Sequence, residues 1–436
     1  NGRHAGTHYG GYTAFCFDIS EYLKPGENLL EITVDNSLDE NIPPLTADFT
    51  FFGGIYRDLT LIITPKLHIS TTHYATSGVY ISTSDEDGNT AVANVRTFLS
   101  NDGDTDCTAI LTHKIIAPDG AIAAEAGKKI RIKAGTENYC DSEELEIENP
   151  VLWGLENPEL YEIVTTVSAK GSDEEDMVSN SFGIRWFEFD PEEGFSINGE
   201  YRKLMGTNRH QSYWLKGDAL HDEMHVRDIR LLKEMGGNFL RISHYPQDPV
   251  ISQMCDRYGI VTSVEIPVVN EITMSEEFRR NCVEMAREMV WQDFNSPSVV
   301  MWAYMNEVLL HVVYDKDDPE EKKAYQEYLV SIARDIDEAI REIDPDRYTM
   351  LPCHNKPGMY KECGLSDIPD ILGWNVYAGW YIGGLETFRE NLDRLHAMFP
   401  DQSLLITEYG ADADPRLHSF DSQRFDFTCE YALKYH

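Results

Sequence analysis

From Trp186 onward, short apolar runs alternate with long stretches of helical periodicity, and this alternation constrains the fold more than any other feature of the 436 residues. The runs expected as strands are 203–207, 239–244, 261–266, 299–306, 348–354, 371–377 and 404–408. Between them, Phe278, Cys282, Met285, Met289 and Val290 fall near helical spacing within 276–294. Tyr325, Leu329, Ile332, Ile336 and Ile340 do the same within 320–343. Such repeats predict a (β/α)8 barrel over 186–436 with seven of its strands visible, the chain stopping in the helix after the seventh. A doubly wound nucleotide-binding sheet is the alternative. It would need a glycine fingerprint after its first strand, where this sequence reads LMGTNRHQ.

The preceding residues read as β structure. Ala91, Ala93, Val95, Thr97 and Leu99 alternate onto one face, as do Tyr161, Ile163, Thr165 and Val167. Turns at Asn101-Asp102-Gly103, Pro118-Asp119-Gly120 and Asn157-Pro158 punctuate the segment. An immunoglobulin-like sandwich over 66–185, bracing the barrel, is expected. Residues 1–65 predict strands at 12–17, 28–34 and 57–63, with Pro25-Gly26 as a turn. These are too few to close two sheets, so they are expected to be the later strands of a sandwich. With an eighth barrel strand also absent, residues 1–436 on their own are expected to be a poor catalyst.

The charge balance narrows the partners. With 75 acidic against 37 basic residues, the formal net charge is −38, which repels nucleic acid and anionic membranes. A neutral sugar is indifferent to it. A polyanion is disfavoured at long range, although a local basic pocket could hold one carboxylate. No apolar run approaches the roughly 18 residues of a membrane span, and no leader pattern opens the chain. Cytoplasm and periplasm both stay open as locations, and a homo-oligomer is compatible. The eight cysteines form no CxxC pair and read as free, mostly buried thiols. Acidic and histidine residues show no metal-ligand spacing, so no metal or cofactor is expected.

Polar residues collect where the barrel strands end, which is where such barrels carry their active sites. Asn208, Arg209 and His210 follow the first strand, His244 the second, Glu265 ends the third, Asn306 and Glu307 the fourth, Asn375 and Tyr377 the sixth, and Glu408 the seventh. Two of the acids, Glu307 and Glu408, face each other across the mouth. Hydrolysis of a glycoside needs such a pair, one as nucleophile and one as general acid/base, about 5–5.5 Å apart when configuration is retained. Arg209 is open to two readings, a bidentate hold on a catalytic carboxylate or a structural salt bridge. Glu265 is open to a pocket role or an ion pair with Arg209 or Arg241.

These motifs carry a resemblance. VVMWAYMNE, TEYG, GTNRHQ and RISHYPQDP are similar to segments of glycoside hydrolase family 2, the family of β-galactosidases and β-glucuronidases. The resemblance covers essentially the whole chain: part of a sugar-binding-type jelly roll (1–65), the immunoglobulin-like domain, then the barrel. It implies Glu307 as acid/base, Glu408 as nucleophile and Asn306 as donor to the sugar 2-hydroxyl. His210 and His244 become hydrogen-bonding partners of sugar hydroxyls, and Asp48 a contact reaching in from outside the barrel. NVYAGWY implies Asn375, Tyr377, Trp380 and Tyr381 in the pocket, with Tyr377 bonded to the nucleophile and Trp380 as an apolar platform. The implied substrate is a β-linked oligosaccharide or glycoside, β-galactoside first and β-glucuronide second. A non-catalytic sugar-binding protein on a degenerate barrel is the reading of another class, against which both glutamates stand.

Overall fold

The computed structural model describes residues 1–85, 88–314 and 317–436. Seven parallel strands form one sheet in sequence order: Gly206–Arg209, Phe239–Ile242, Val261–Glu265, Val299–Ala303, Tyr348–His354, Ile371–Asn375 and Leu404–Glu408. The linking helices are α1 (Asp222–Glu234), α2 (Pro249–Tyr258), α3 (Glu276–Gln292), α4 (Pro319–Ile343), α5 (Pro357–Cys363) and α6 (Thr387–Met398), with α7 (Cys429–Tyr435) last. This is a (β/α)8 barrel lacking its eighth strand among the described residues. Local chemistry explains its boundaries. Asp248, Ser275 and Asp318 cap α2, α3 and α4 by accepting from first-turn amides, and Pro249 and Pro319 take the first helical position, where a missing N–H costs nothing. The apolar faces of α3 and α4 bury Phe278, Cys282, Met285, Leu329, Ile332 and Ile336 against the strands.

Ahead of the barrel, two four-stranded antiparallel sheets form a sandwich. One holds Leu67–Ile69, Val79–Asp85, Thr90–Asn101 and Thr136–Glu148, and the other Cys107–Ile116, Ile122–Ile132, Tyr161–Ala169 and Glu175–Phe182. Its core is the expected alternating set, with Ala91, Ala93, Val95, Leu99, Tyr161, Ile163 and Val167 all buried. The sandwich is pinned to the barrel by specific bonds. Asn295 accepts from Ile81 N at 2.9 Å and donates to Val79 O at 2.8 Å. Trp153 Nε1 donates to Asp256 O at 2.7 Å, and the Arg96 guanidinium lies 4.9 Å from the Trp291 ring centre.

Residues 1–65 depart from expectation. No strand forms there, and the only regular element is the 3-10 turn Ser20–Tyr22. A strand exists only through a ladder partner, and the apolar side chains that pointed to strands, Leu29, Leu30, Ile32, Leu61 and Ile63, lie exposed. The segment is held instead by side-chain bonds to the barrel. His8 and Thr13 bond Glu288 at 2.8 and 2.5 Å, Asn281 donates to Asn41 O at 2.8 Å, and Arg57 donates to Pro246 O at 2.8 Å. No helix among the described residues is long and apolar enough to cross a membrane.

Candidate active site

The parallel register decides which strand-end side chains converge. Asn208 pairs with Arg241 and Arg209 with Ile242, so Arg209 is one residue out of phase with the inward-facing Arg241. Its guanidinium lies among the helices, donating to Asp228 Oδ2 at 2.9 Å and to Gln247 Oε1 at 2.6 Å. Arg209 is thus in a structural salt bridge and touches neither glutamate of the pair.

Arg241, read from the sequence only as one of two ion-pair partners for Glu265, occupies the position considered for Arg209. It is fully buried in the second strand. Nη1 donates to Glu408 Oε1 at 2.7 Å, Nη2 to Glu265 Oε2 at 2.7 Å and to Asn306 Oδ1 at 2.9 Å. Burial works against its charge, yet Glu265 and Glu408 hold its pKa above the ordinary value. Burial likewise opposes the charge of Glu265, and Arg241 and His244 more than offset it, so this carboxyl lies below its usual range. The signal in the sequence was a lone arginine inside the four-residue apolar run FLRI, where a charge cannot remain without a partner.

Glu408 receives a second donor. Tyr377 Oη donates to its Oε2 at 2.8 Å, and burial together with the Glu408 charge raises the pKa of that phenol. His244 places Nδ1 2.8 Å from Glu265 Oε1 and Nε2 3.7 Å from Glu408 Oε1. A register shift aims the carboxylate. Trp374 faces Ile406 but Asn375 faces Glu408, leaving Thr407 as the extra residue, bonded to Asn375 Oδ1 at 2.7 Å.

Glu307 stands just past the fourth strand with a φ of 51°, uncommon for a residue with a side chain. Its surroundings fix it there. Its N–H donates to Pro352 O at 2.9 Å, while Asn306 N donates to Val268 O and Asn306 O accepts from Asn270 N. Asn375 Nδ2 donates to Glu307 Oε1 at 2.7 Å. Burial, then the charge of Glu408, push the Glu307 pKa up to about 7. Asn306 Oδ1 is occupied by Arg241 and Asn375, which leaves its amide NH2 as the group free to donate.

The remaining expected residues divide. His210 lies at the mouth, its Nδ1 3.1 Å from Tyr245 Oη and its ring 4.9 Å from that of Phe49. Asp48, exposed on the segment outside the barrel, is close enough for its charge to act on His210 and Tyr381. Tyr381 is exposed with its ring 4.9 Å from Tyr377. Trp380 is only 2% exposed, packed against Phe425, Phe427 and Tyr431, so its indole is not a platform open to a sugar. Among the described residues, no three His, Cys, Asp or Glu side chains gather as a metal site would require.

A sandwich followed by a parallel barrel whose mouth holds an arginine-clamped glutamate and a second, buried glutamate of raised pKa is the architecture of a multidomain glycosidase. The chain belongs to glycosyl hydrolases family 2: the family's TIM barrel domain matches residues 191–431, and a second model of the family matches 73–185. A β-glucuronidase of Bacteroides fragilis is 33% identical over 95% of this chain and 57% of its own length. A β-galactosidase of Bacteroides ovatus is 28% identical over 94% of this chain and 48% of its own length. The structure of Bacteroides uniformis β-glucuronidase 2 covalently bound to cyclophellitol-6-carboxylate aziridine superposes with a TM-score of 0.94 at 40% identity, covering 100% of this chain and 52% of that one. The chain therefore spans about half the length of these relatives.

Proposed function

We propose that the protein carrying this chain is a retaining exo-β-glycosidase whose preferred substrate is a β-glucuronide. The observation that carries the reaction class is the unequal environment of two glutamates in one mouth. Glu408 accepts from Arg241 and Tyr377, donors suited to an ionised carboxylate. Glu307, buried and facing that charge, has a pKa near 7 and stays largely protonated below it. Glu408 attacks the anomeric carbon as the bond to the leaving oxygen breaks, and Glu307 gives that oxygen its proton. In the second half, Glu307 takes a proton from water, whose oxygen displaces Glu408 and restores the starting configuration. The free amide of Asn306 is suited to donate to the 2-hydroxyl in the transition state.

The sugar is assigned from likeness. The motifs alone favour a galactoside, whereas the 33% and 40% identical relatives are both β-glucuronidases. That reverses the order of the two candidates, with the β-galactoside kept second on the strength of the Bacteroides ovatus relative. A panel of nitrophenyl β-glycosides is expected to give the glucuronide the highest kcat/KM, and a faster galactoside would restore the first order. The pH profile tests the assignment of roles. Since Glu307 must start protonated, kcat/KM is expected to fall as pH rises through about 7. A profile flat from about pH 6 to 9 would remove Glu307 as the acid.

A further inference from the structure

We infer that the end of the fifth barrel strand forms the leaving-group subsite and is built for an acidic aglycone, with His354 Nε2–H and Lys356 Nζ as its donors. The inference rests on the glycosidase reading above. The fifth strand, Tyr348–His354, lies between the fourth, which leads into Glu307, and the sixth, which ends in Asn375. An acid that protonates the leaving oxygen must have the leaving group beside it. The strand ends flanking the fourth strand are therefore among the walls nearest the aglycone.

His354 stands in register with Asn375, the residue that holds Glu307 Oε1, and in-register neighbours of a parallel pair project to the same side. It is 6% exposed. The Tyr360 oxygen accepts from His354 N at 3.2 Å and lies 2.6 Å from His354 Nδ1. With the Tyr360 hydroxyl donating to Nδ1, the ring proton sits on Nε2. Burial and the Lys356 charge lower the His354 pKa to about 4, so the ring is a neutral donor. Nε2 is buried and has no partner among the described residues, an unusual condition for a polar atom in a folded interior.

Two residues on, Lys356 is exposed at the lip, and among the described residues no carboxylate is within ion-pair distance of it. In a chain of net charge −38 an unpaired lysine beside an unpaired buried donor is a local reversal of sign. Asn355, between them, turns away, donating to Asn391 Oδ1 at 3.0 Å and accepting from Arg394 at 2.7 Å. The wall thus offers His354 Nε2 and Lys356 Nζ as two donors. A carboxylate or sulfate on the aglycone satisfies both.

The test uses matched β-glucuronides of one phenol bearing a carboxylate or its methylamide, and the same two aglycones on β-galactose. The wild-type protein is expected to prefer the carboxylate by about fivefold in kcat/KM, carried in KM and weakened by salt. Lys356→Glu, at an exposed position, is expected to bring that ratio to or below one, while Lys129→Glu on the distant sandwich leaves it unchanged. His354→Ala is expected to lower the ratio and His354→Gln, which keeps an N–H, to recover part of it. Equal rates for the two aglycones in the wild type, or a ratio unmoved by Lys356→Glu, would overturn the inference and leave the function standing. The same preference on galactosides alone would support the subsite and overturn the glucuronide. Hydrolysis of none of the four would overturn both.

Discussion

Glu408→Gln in the whole protein is expected to lower kcat by about four orders of magnitude or more. Glutamine keeps the shape and can still accept from Tyr377, but it cannot form the ester to the anomeric carbon. It also leaves Arg241 with one fewer anionic partner. Covalent capture by a mechanism-based glycoside inactivator is expected to be lost together with turnover. The two readouts separate a missing nucleophile from a damaged pocket, since a damaged pocket that retained its nucleophile would still be labelled slowly. Labelling of the glutamine variant at the parent rate would refute the role of Glu408.

Arg241→Met is expected to damage stability and activity together. The guanidinium and Glu265 are both fully buried, joined at 2.7 Å, and the same group bonds Glu408 and Asn306. Removing one partner of a buried ion pair leaves the other charge in a site with little solvent, a loss of about 3–5 kcal/mol. His244 offsets part of it, being 2.8 Å from the other oxygen of Glu265. The check is denaturant unfolding followed by barrel fluorescence, with kcat/KM on the surviving folded fraction. A second variant, Arg241→Met with Glu265→Leu, removes both buried charges and is expected to recover part of the stability but little of the activity, because Glu408 still lacks its clamp. Full recovery of activity in the double variant would mean that Arg241 serves folding alone.

Much of the barrel was legible because its signal is local. Three of its strands have their ends unchanged or within a residue of the apolar runs, as with Tyr348–His354, Val261–Glu265 and Leu404–Glu408. Helices α3 and α4 follow the periodicity that announced them. The sandwich was legible for the same reason, as alternation along a strand needs no knowledge of distant residues. The strands expected within residues 1–65 were misread because alternation is present there but pairing is not local. Apolar patterning states which face a strand would bury and cannot supply the neighbour that makes it a strand.

At the mouth, residue type and position along the chain were enough to pick out Glu307, Glu408, Asn306, Asn375, Tyr377 and His244 as a group, and these are the side chains that the fold brings together. What the sequence could not decide was phase and partnership. Arg209 and Arg241 are both arginines on barrel strands, and only the register of the first two strands sends one outward to Asp228 and the other inward to Glu408. Trp380 and Tyr381 are adjacent aromatics of similar promise, yet the tertiary structure buries the indole under Phe425 and Phe427 and leaves the phenol exposed. The near-neutral pKa of Glu307 belongs to neither residue of the pair alone. It arises when the fold buries that carboxyl opposite the charge of Glu408, 101 positions later in the chain by their numbering. Side-chain identity is written one residue at a time, whereas burial, register and the field at a carboxylate exist only once distant strands stand side by side.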